Sequence, residues 1–248
     1  MGDLQTKSEE FAKKLSEIVN KTLSKDIEFQ VTLLENETAI VSSEAFKLTD
    51  KMFIPITVGL GEGEAPWLWL KVFFRLKLKG PMSYLTVQNS VFSLAINKKT
   101  GLPAIRIEFD RDQGFEPDDM ESTSNRSAAH VHIHGVSPEI SYIQGRQKAS
   151  KLKSLEDFHF PVGGRRFRPS LEDFIEFIHK EGLIPVLHDG WREVVNLHRT
   201  EWLKIQLMGA VEQYPEVAAT KLRELGYEVN SRSGVSPAPA ILIEKSLD

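Results

Sequence analysis

The chain has 248 residues, 41% of them hydrophobic and 27% charged, with a formal net charge of −4 and no cysteine. That balance suits one large or two small folded domains and excludes a disordered or strongly basic chain. Without a thiol, disulfides, iron–sulfur clusters, thiolate metal sites and a cysteine nucleophile are excluded as well.

The first fifteen residues are charged and carry no apolar export core. The most apolar window, residues 66–80, contains Lys71, Arg75, Lys77 and Lys79. It is shorter than the run of about 20 apolar residues that a membrane helix needs. The expectation is a cytoplasmic protein with no membrane partner.

Residues 8–24 place Phe11, Leu15, Ile18, Val19 and Leu23 on one helical face, and the spacing predicts a helix capped by Ser8. Strand signals follow. Residues 27–34 put Ile27, Phe29, Val31 and Leu33 on one side. Residues 52–59 read as a strand in which Pro55 marks an edge, and 61–66 as a loop. Residues 68–79 alternate, with Leu68, Leu70, Val72, Phe74, Leu76 and Leu78 inward and Lys71, Arg75, Lys77 and Lys79 outward. Residues 90–110 read as two strands around a glycine-containing turn. In the second of them Ile105, Ile107 and Phe109 oppose Arg106, Glu108 and Asp110. A polar loop over 111–127 leads to a strand at 129–136, and residues 155–162 read as a short strand with Phe158, Phe160 and Val162 opposite His159.

From Ser170 the period changes. Residues 170–182 form a helix with Ser170 as N-cap, Asp173 completing a capping box, and Gly182 past its end. Residues 190–214 and 215–226 are two more, with Pro215 in a first turn and Gly226 at a terminus. The pentamer Ser-Leu-Glu-Asp-Phe occurs at 154–158 and again at 170–174, too short to signal an internal repeat. Helix, then strands, then helices, with no alternating rhythm, predicts an α+β fold. It has a mainly antiparallel sheet, an N-terminal helix and a C-terminal helical segment. The expected divisions are a sheet domain over 1–169, a helical segment over 170–229 packed on it, and a flexible tail over 230–248.

Chemistry concentrates in two stretches. In residues 127–137 His130, His132 and His134 recur at every second position. On a strand they share a face, with Val131 and Ile133 toward the core. Neighbouring imidazolium charges repel, which favours neutral rings, the form needed for general-base work or metal binding. Three readings compete: catalysis on a phosphoester, a metal site for Zn, Mn or Fe, and the polar face of an ordinary strand. In the metal reading His159, Glu108 or Asp110 completes the ligand shell.

The second stretch is basic. An acidic run over 108–121 precedes the histidines, and a basic run over 145–169 follows them. Gly163 and Gly164 lead into Arg165, Arg166 and Arg168, and Ser170 opens a helix. Arginines beside a helix N-terminus form an anion site for a small phosphate or nucleic acid. The alternative is a solvated turn paired with the acidic run. Elsewhere, His198 reads as a core residue, His179 as a helix-terminal one, and His188 as part of a turn with Asp189. Trp67 and Trp69 share a strand face with Lys71, Phe73 and Arg75, which suits base stacking or a second packed layer.

The alternation His130-Val131-His132-Ile133-His134 resembles that of the histidine-triad nucleotide hydrolases and transferases. That resemblance implies His132 as a nucleophile toward phosphorus, although Gly135 stands where that family has an apolar residue. Residues 105–178 also resemble a group of bacterial proteins of unknown function that carry an HxHxH strand followed by an HxPVGGRRFRP segment. The same region is loosely similar to the TumE-type toxins of toxin–antitoxin pairs, with Arg106, Asp110, His130, His132 and His134 as the matching positions. Those toxins are much shorter chains. Together these resemblances imply an RNA-directed toxin or defence role with an antitoxin-like or defence partner protein.

The combined expectation is a phosphodiesterase or phosphoryl-transfer enzyme acting on RNA or a nucleotide. One of His130, His132 or His134 serves as base or nucleophile, and another, or His159, as acid. Arg165, Arg166 and Arg106 stabilise charge on phosphorus. The first alternative is a metal-dependent hydrolase with His130, His132 and His134 on Zn or Mn. The second is a non-catalytic partner-binding protein.

Overall fold

The computed structural model describes residues 2–43, 54–56, 68–79, 84–95, 103–112, 128–135, 137–138, 142, 154–158, 160–162, 168–184, 186 and 188–230. The chain forms two compact units, residues 1–200 and 201–248. Among the described residues of the first unit, one helix, α1 (Gly2–Thr22), precedes eight strands: β1 (Gln30–Leu34), β2 (Thr38–Ser42), β3 (Ile54–Ile56), β4 (Leu68–Lys79), β5 (Tyr84–Ala95), β6 (Ile105–Asp110), β7 (Ala129–Ile133) and β8 (Phe160–Pro161). Three helices follow: α2 (Leu171–Lys180), α3 (Trp191–Gln213), which runs across the unit boundary, and α4 (Pro215–Glu224). The fold is therefore α+β.

All strand pairs are antiparallel and form one sheet in the order β1-β2-β4-β5-β6-β7-β8, with β3 beside β4. The alternation predicted for 68–79 matches β4. Leu68, Leu70, Val72, Phe74 and Leu76 are buried on one face. That face carries the core. Phe11 of α1 meets Phe74 edge to face at 4.9 Å, and Phe74 meets Phe92 at 5.5 Å. Phe174 of α2 lies 6.1 Å from Phe92. Burying these aromatic rings helps join the helices to the sheet.

Several expectations are corrected. Helix α1 begins at Gly2, so Ser8 does not cap it; Ser8 lies inside the helix and is fully buried. Lys7–Asp3 and Gln5–Glu9 contacts at i, i+4 support the earlier turns, and Leu4 anchors them in the core. Strand β2 gave no alternating signal because all five of its residues are buried. Strand β5 begins at Tyr84, six residues before the predicted start. The segment 155–162 holds a single 3-10 turn (Leu155–Asp157) and only the two-residue β8. The loops at 61–66 and 113–127, together with 231–248, lie outside the described residues.

The second half of the chain follows its terminal signals. Ser170 caps α2: its Oγ accepts from the Asp173 N–H at 3.2 Å, and its own N–H donates to the Asp173 carboxylate at 2.8 Å. Gly182 adopts φ 65° beyond the helix, as a glycine C-terminus requires. Buried Leu171, Phe174, Ile175 and Ile178 turn toward the core. His179, in the last turn, is buried rather than merely terminal. Its Nε2 lies 3.2 Å from the Thr22 carbonyl, and its ring stacks on Trp191 at 4.4 Å. His198 is buried, as expected. In the second unit Pro215 starts α4 and Gly226, at φ 87°, follows its end. No residue of α4 is buried.

Candidate metal centre

Residues directly opposite each other in an antiparallel pair share a face. Register places Glu108 against His130, and Arg106 against His132. Ile107 and Phe109 belong to the core face, so Arg106, Glu108, His130 and His132 occupy the other. Two cross-strand rows result. One runs Lys71, Ser93, Arg106, His132; the next runs Phe73, Val91, Glu108, His130.

This face is not open at the histidines. His130 is 1% exposed and His132 is 6% exposed. A buried imidazole needs a polar partner; Glu108 hydrogen-bonds His130 Nε2, whereas His132 Nε2 makes no hydrogen bond among the described residues and only approaches the same carboxylate. His130 Nε2 lies 3.3 Å from Glu108 Oε2, and His132 Nε2 lies 3.5 Å from the same oxygen. The two rings meet edge to face, with centroids 5.0 Å apart. Arg106 Nε lies 2.9 Å from the other carboxylate oxygen, Oε1. Its alignment makes this an ion pair rather than a well-formed hydrogen bond.

Burial alone would raise the Glu108 carboxyl pKa. The His130 contact, the Arg106 charge and both imidazoles outweigh that and hold it at about 2. Glu108 is therefore a carboxylate at neutral pH. One carboxylate oxygen and two imidazole nitrogens converge, all within 4.8 Å of one another. Donors 2.0–2.1 Å from a tetrahedral ion stand roughly 3.3 Å apart, so small side-chain rotations would close the group on a cation. Two histidines and one carboxylate suit Zn, Mn or Fe.

The other predicted site residues fall elsewhere. His134 lies past the end of β7, with an exposed side chain. Its N–H donates to the Ala104 carbonyl at 2.9 Å. The three-histidine face thus contracts to two, because the strand ends before the third. Val131 packs on the core as expected, but Ile133 is 42% exposed. Strand β8 reaches only His130 and Val131, so no described strand flanks Ile133 on that side. Asp110 Oδ1 accepts from the Asp112 N–H at 3.1 Å, and Asp110 does not join the donor group.

Arg168 is 4% exposed and lies over the Phe109 ring, 4.5 Å from its centroid. It therefore sits on the opposite side of β6 from Glu108. Burial, with Arg111 nearby, lowers its guanidinium to about 9, and Glu172 opposes the shift. Arg168 is a packed cation–π residue rather than part of the histidine group. His159, Gly163, Gly164, Arg165 and Arg166 lie outside the described residues, as does Trp67. The sequence offered Glu108 only as one of three candidate carboxylate or imidazole ligands. Register across β6 and β7 selects it.

No family model, curated protein or solved structure matches this chain.

Proposed function

We propose that this protein is a divalent-metal-dependent hydrolase in which Glu108, His130 and His132 are the protein ligands. The convergence of their three donor atoms within 4.8 Å, on adjacent strands with both histidines buried, carries this reading. A Zn or Mn ion there would act as a Lewis acid and make water nucleophilic near neutral pH. The chain's own residues set the conditions. Both imidazoles are held by strand backbone rather than by a loop, which limits their reorientation. Glu108 contributes the negative charge that favours a divalent ion, and Arg106 restrains its second oxygen.

A second reading rests on the His130–Glu108 contact alone. There the carboxylate orients His130 as a general base for metal-free phosphoryl transfer, with RNA or a nucleotide as substrate. One experiment separates the two. Elemental analysis of chelator-free wild type would be set beside a His130→Ala/His132→Ala variant, and both assayed on bis(p-nitrophenyl) phosphate and p-nitrophenyl acetate with and without chelator. Near-stoichiometric metal, lost in a folded variant, with activity abolished by chelator, is the expected result. Activity that survives chelator and vanishes only in the variant would overturn the metal reading in favour of the second.

A further inference from the structure

The charges around the candidate centre are not balanced once a cation is present. Glu108 and Arg106 neutralise each other, and histidine ligands coordinate in the neutral form. A divalent ion would then leave its own charge uncompensated in a partly buried setting. Such a site favours an anion as its remaining ligand.

Arg106 has the geometry to select that anion. Its Nε faces Glu108 Oε1, while the histidines face Oε2. The guanidinium therefore lies one carboxylate away from where the ligands converge. Its two terminal NH2 groups make no hydrogen bond or ion pair among the described residues. About a third of the side chain is accessible (34%), although the Nε atom itself is buried. A guanidinium anchored at Nε with an accessible fork is built for two parallel bonds to an oxyanion. Its cross-strand neighbours are polar: buried Ser93 on β5, with Lys71 beyond it on β4 in the same row.

We infer that Arg106 holds an oxyanion of the substrate beside the metal, so that the substrate class is a phosphoryl- or carboxylate-bearing molecule. This rests on the metal reading and adds the substrate's chemistry to it. Arg106 has two tasks here: Nε restrains Glu108 as a one-oxygen ligand, and the fork binds the anion.

The test uses the full chain with one equivalent of Zn2+, titrated calorimetrically with inorganic phosphate and, separately, with acetate. Arg106→Gln and Arg106→Lys would be compared with wild type, and Lys77→Gln, an exposed cation on the same sheet, would control for charge removal. Folding would be checked by circular dichroism and Zn2+ stoichiometry measured for each. The expected result is that Arg106→Gln retains Zn2+ but binds the anion at least tenfold more weakly. Arg106→Lys, with charge but no fork, should fall between, and Lys77→Gln should match wild type. The stronger probe identifies the substrate group as phosphoryl or carboxylate. Unchanged anion affinity in Zn2+-loaded Arg106→Gln, or an equal loss in Lys77→Gln, would overturn the assignment. Loss of Zn2+ itself from Arg106→Gln would reduce Arg106 to a support for Glu108. A folded wild type that binds no Zn2+ would overturn the metal reading instead.

Discussion

Glu108 and His130 stand directly opposite each other on β6 and β7, with His130 Nε2 3.3 Å from Glu108 Oε2. His130 is almost completely buried there, so the contact is the polar partner its ring needs rather than a surface ion pair. Because His132 approaches the same oxygen, the carboxylate joins two imidazoles that sequence alternation alone had grouped with a third.

That difference separates His132 from His134. His132→Ala should weaken Zn2+ binding by more than the 10–100-fold, roughly, that loss of a supporting group costs. His134→Ala, altering an exposed side chain beyond the strand and outside the converging donor group, should leave Zn2+ affinity within about twofold of wild type, since exposed substitutions perturb little. Competition against a chromophoric chelator measures both. Equal losses would mean that His134 joins the ligand set in solution.

The repeated pentamer offers an internal comparison. Ser154 and Ser170 each donate their N–H to an aspartate three residues on, Asp157 and Asp173. Only the second box opens a ten-residue helix. Ser170→Ala should therefore lower unfolding stability by about 1 kcal/mol, and Ser154→Ala by much less, because it caps a single turn. Urea midpoints of the two variants should reveal the order.

Phe174 is fully buried and lies between Phe92 of the sheet and Phe177 of its own helix. Phe174→Leu should keep most of the packing, whereas Phe174→Ala should cost about 3–5 kcal/mol through lost burial and the cavity left behind. Chemical denaturation would show this. A cost for Phe174→Ala below about 0.5 kcal/mol, the range of surface changes, would mean that α2 is not anchored through this ring.

His179 gives the fold a pH dependence. Burial lowers its pKa from 6.5; the Thr22 carbonyl opposes the shift, and His188 adds to it. A histidine whose folded pKa lies below its unfolded value binds fewer protons when folded. Its contribution is complete above pH 6.5 and declines as pH falls from there through the lowered folded value. Wild type should lose stability across that window. His179→Gln should be less stable at pH 7.5, yet show a smaller decline on acidification. Urea midpoints at pH 7.5, 6.5 and 5.5 check the sign; a wild type no more pH-dependent than the variant would contradict it.

Much of this architecture is legible in local pattern. The alternation of Leu68 to Leu78 defined β4, and Ser170 with Asp173 defined the start of α2, because both signals depend on neighbours within a few residues. Strand β2 was not legible, since burial on both faces erases the period-two contrast. Nor was the start of α1, where Ser8 has the composition of a cap but the position of a core residue. The sequence by itself determined that the imidazoles would share the face of one strand, and Arg106 and the carboxylates that of another. It did not determine which would meet. That followed from cross-strand register, which put Glu108 rather than Asp110 against His130, and from the end of β7, which left His134 outside. Register and strand length are set by pairing between segments distant in the chain, and only the tertiary structure supplies that pairing.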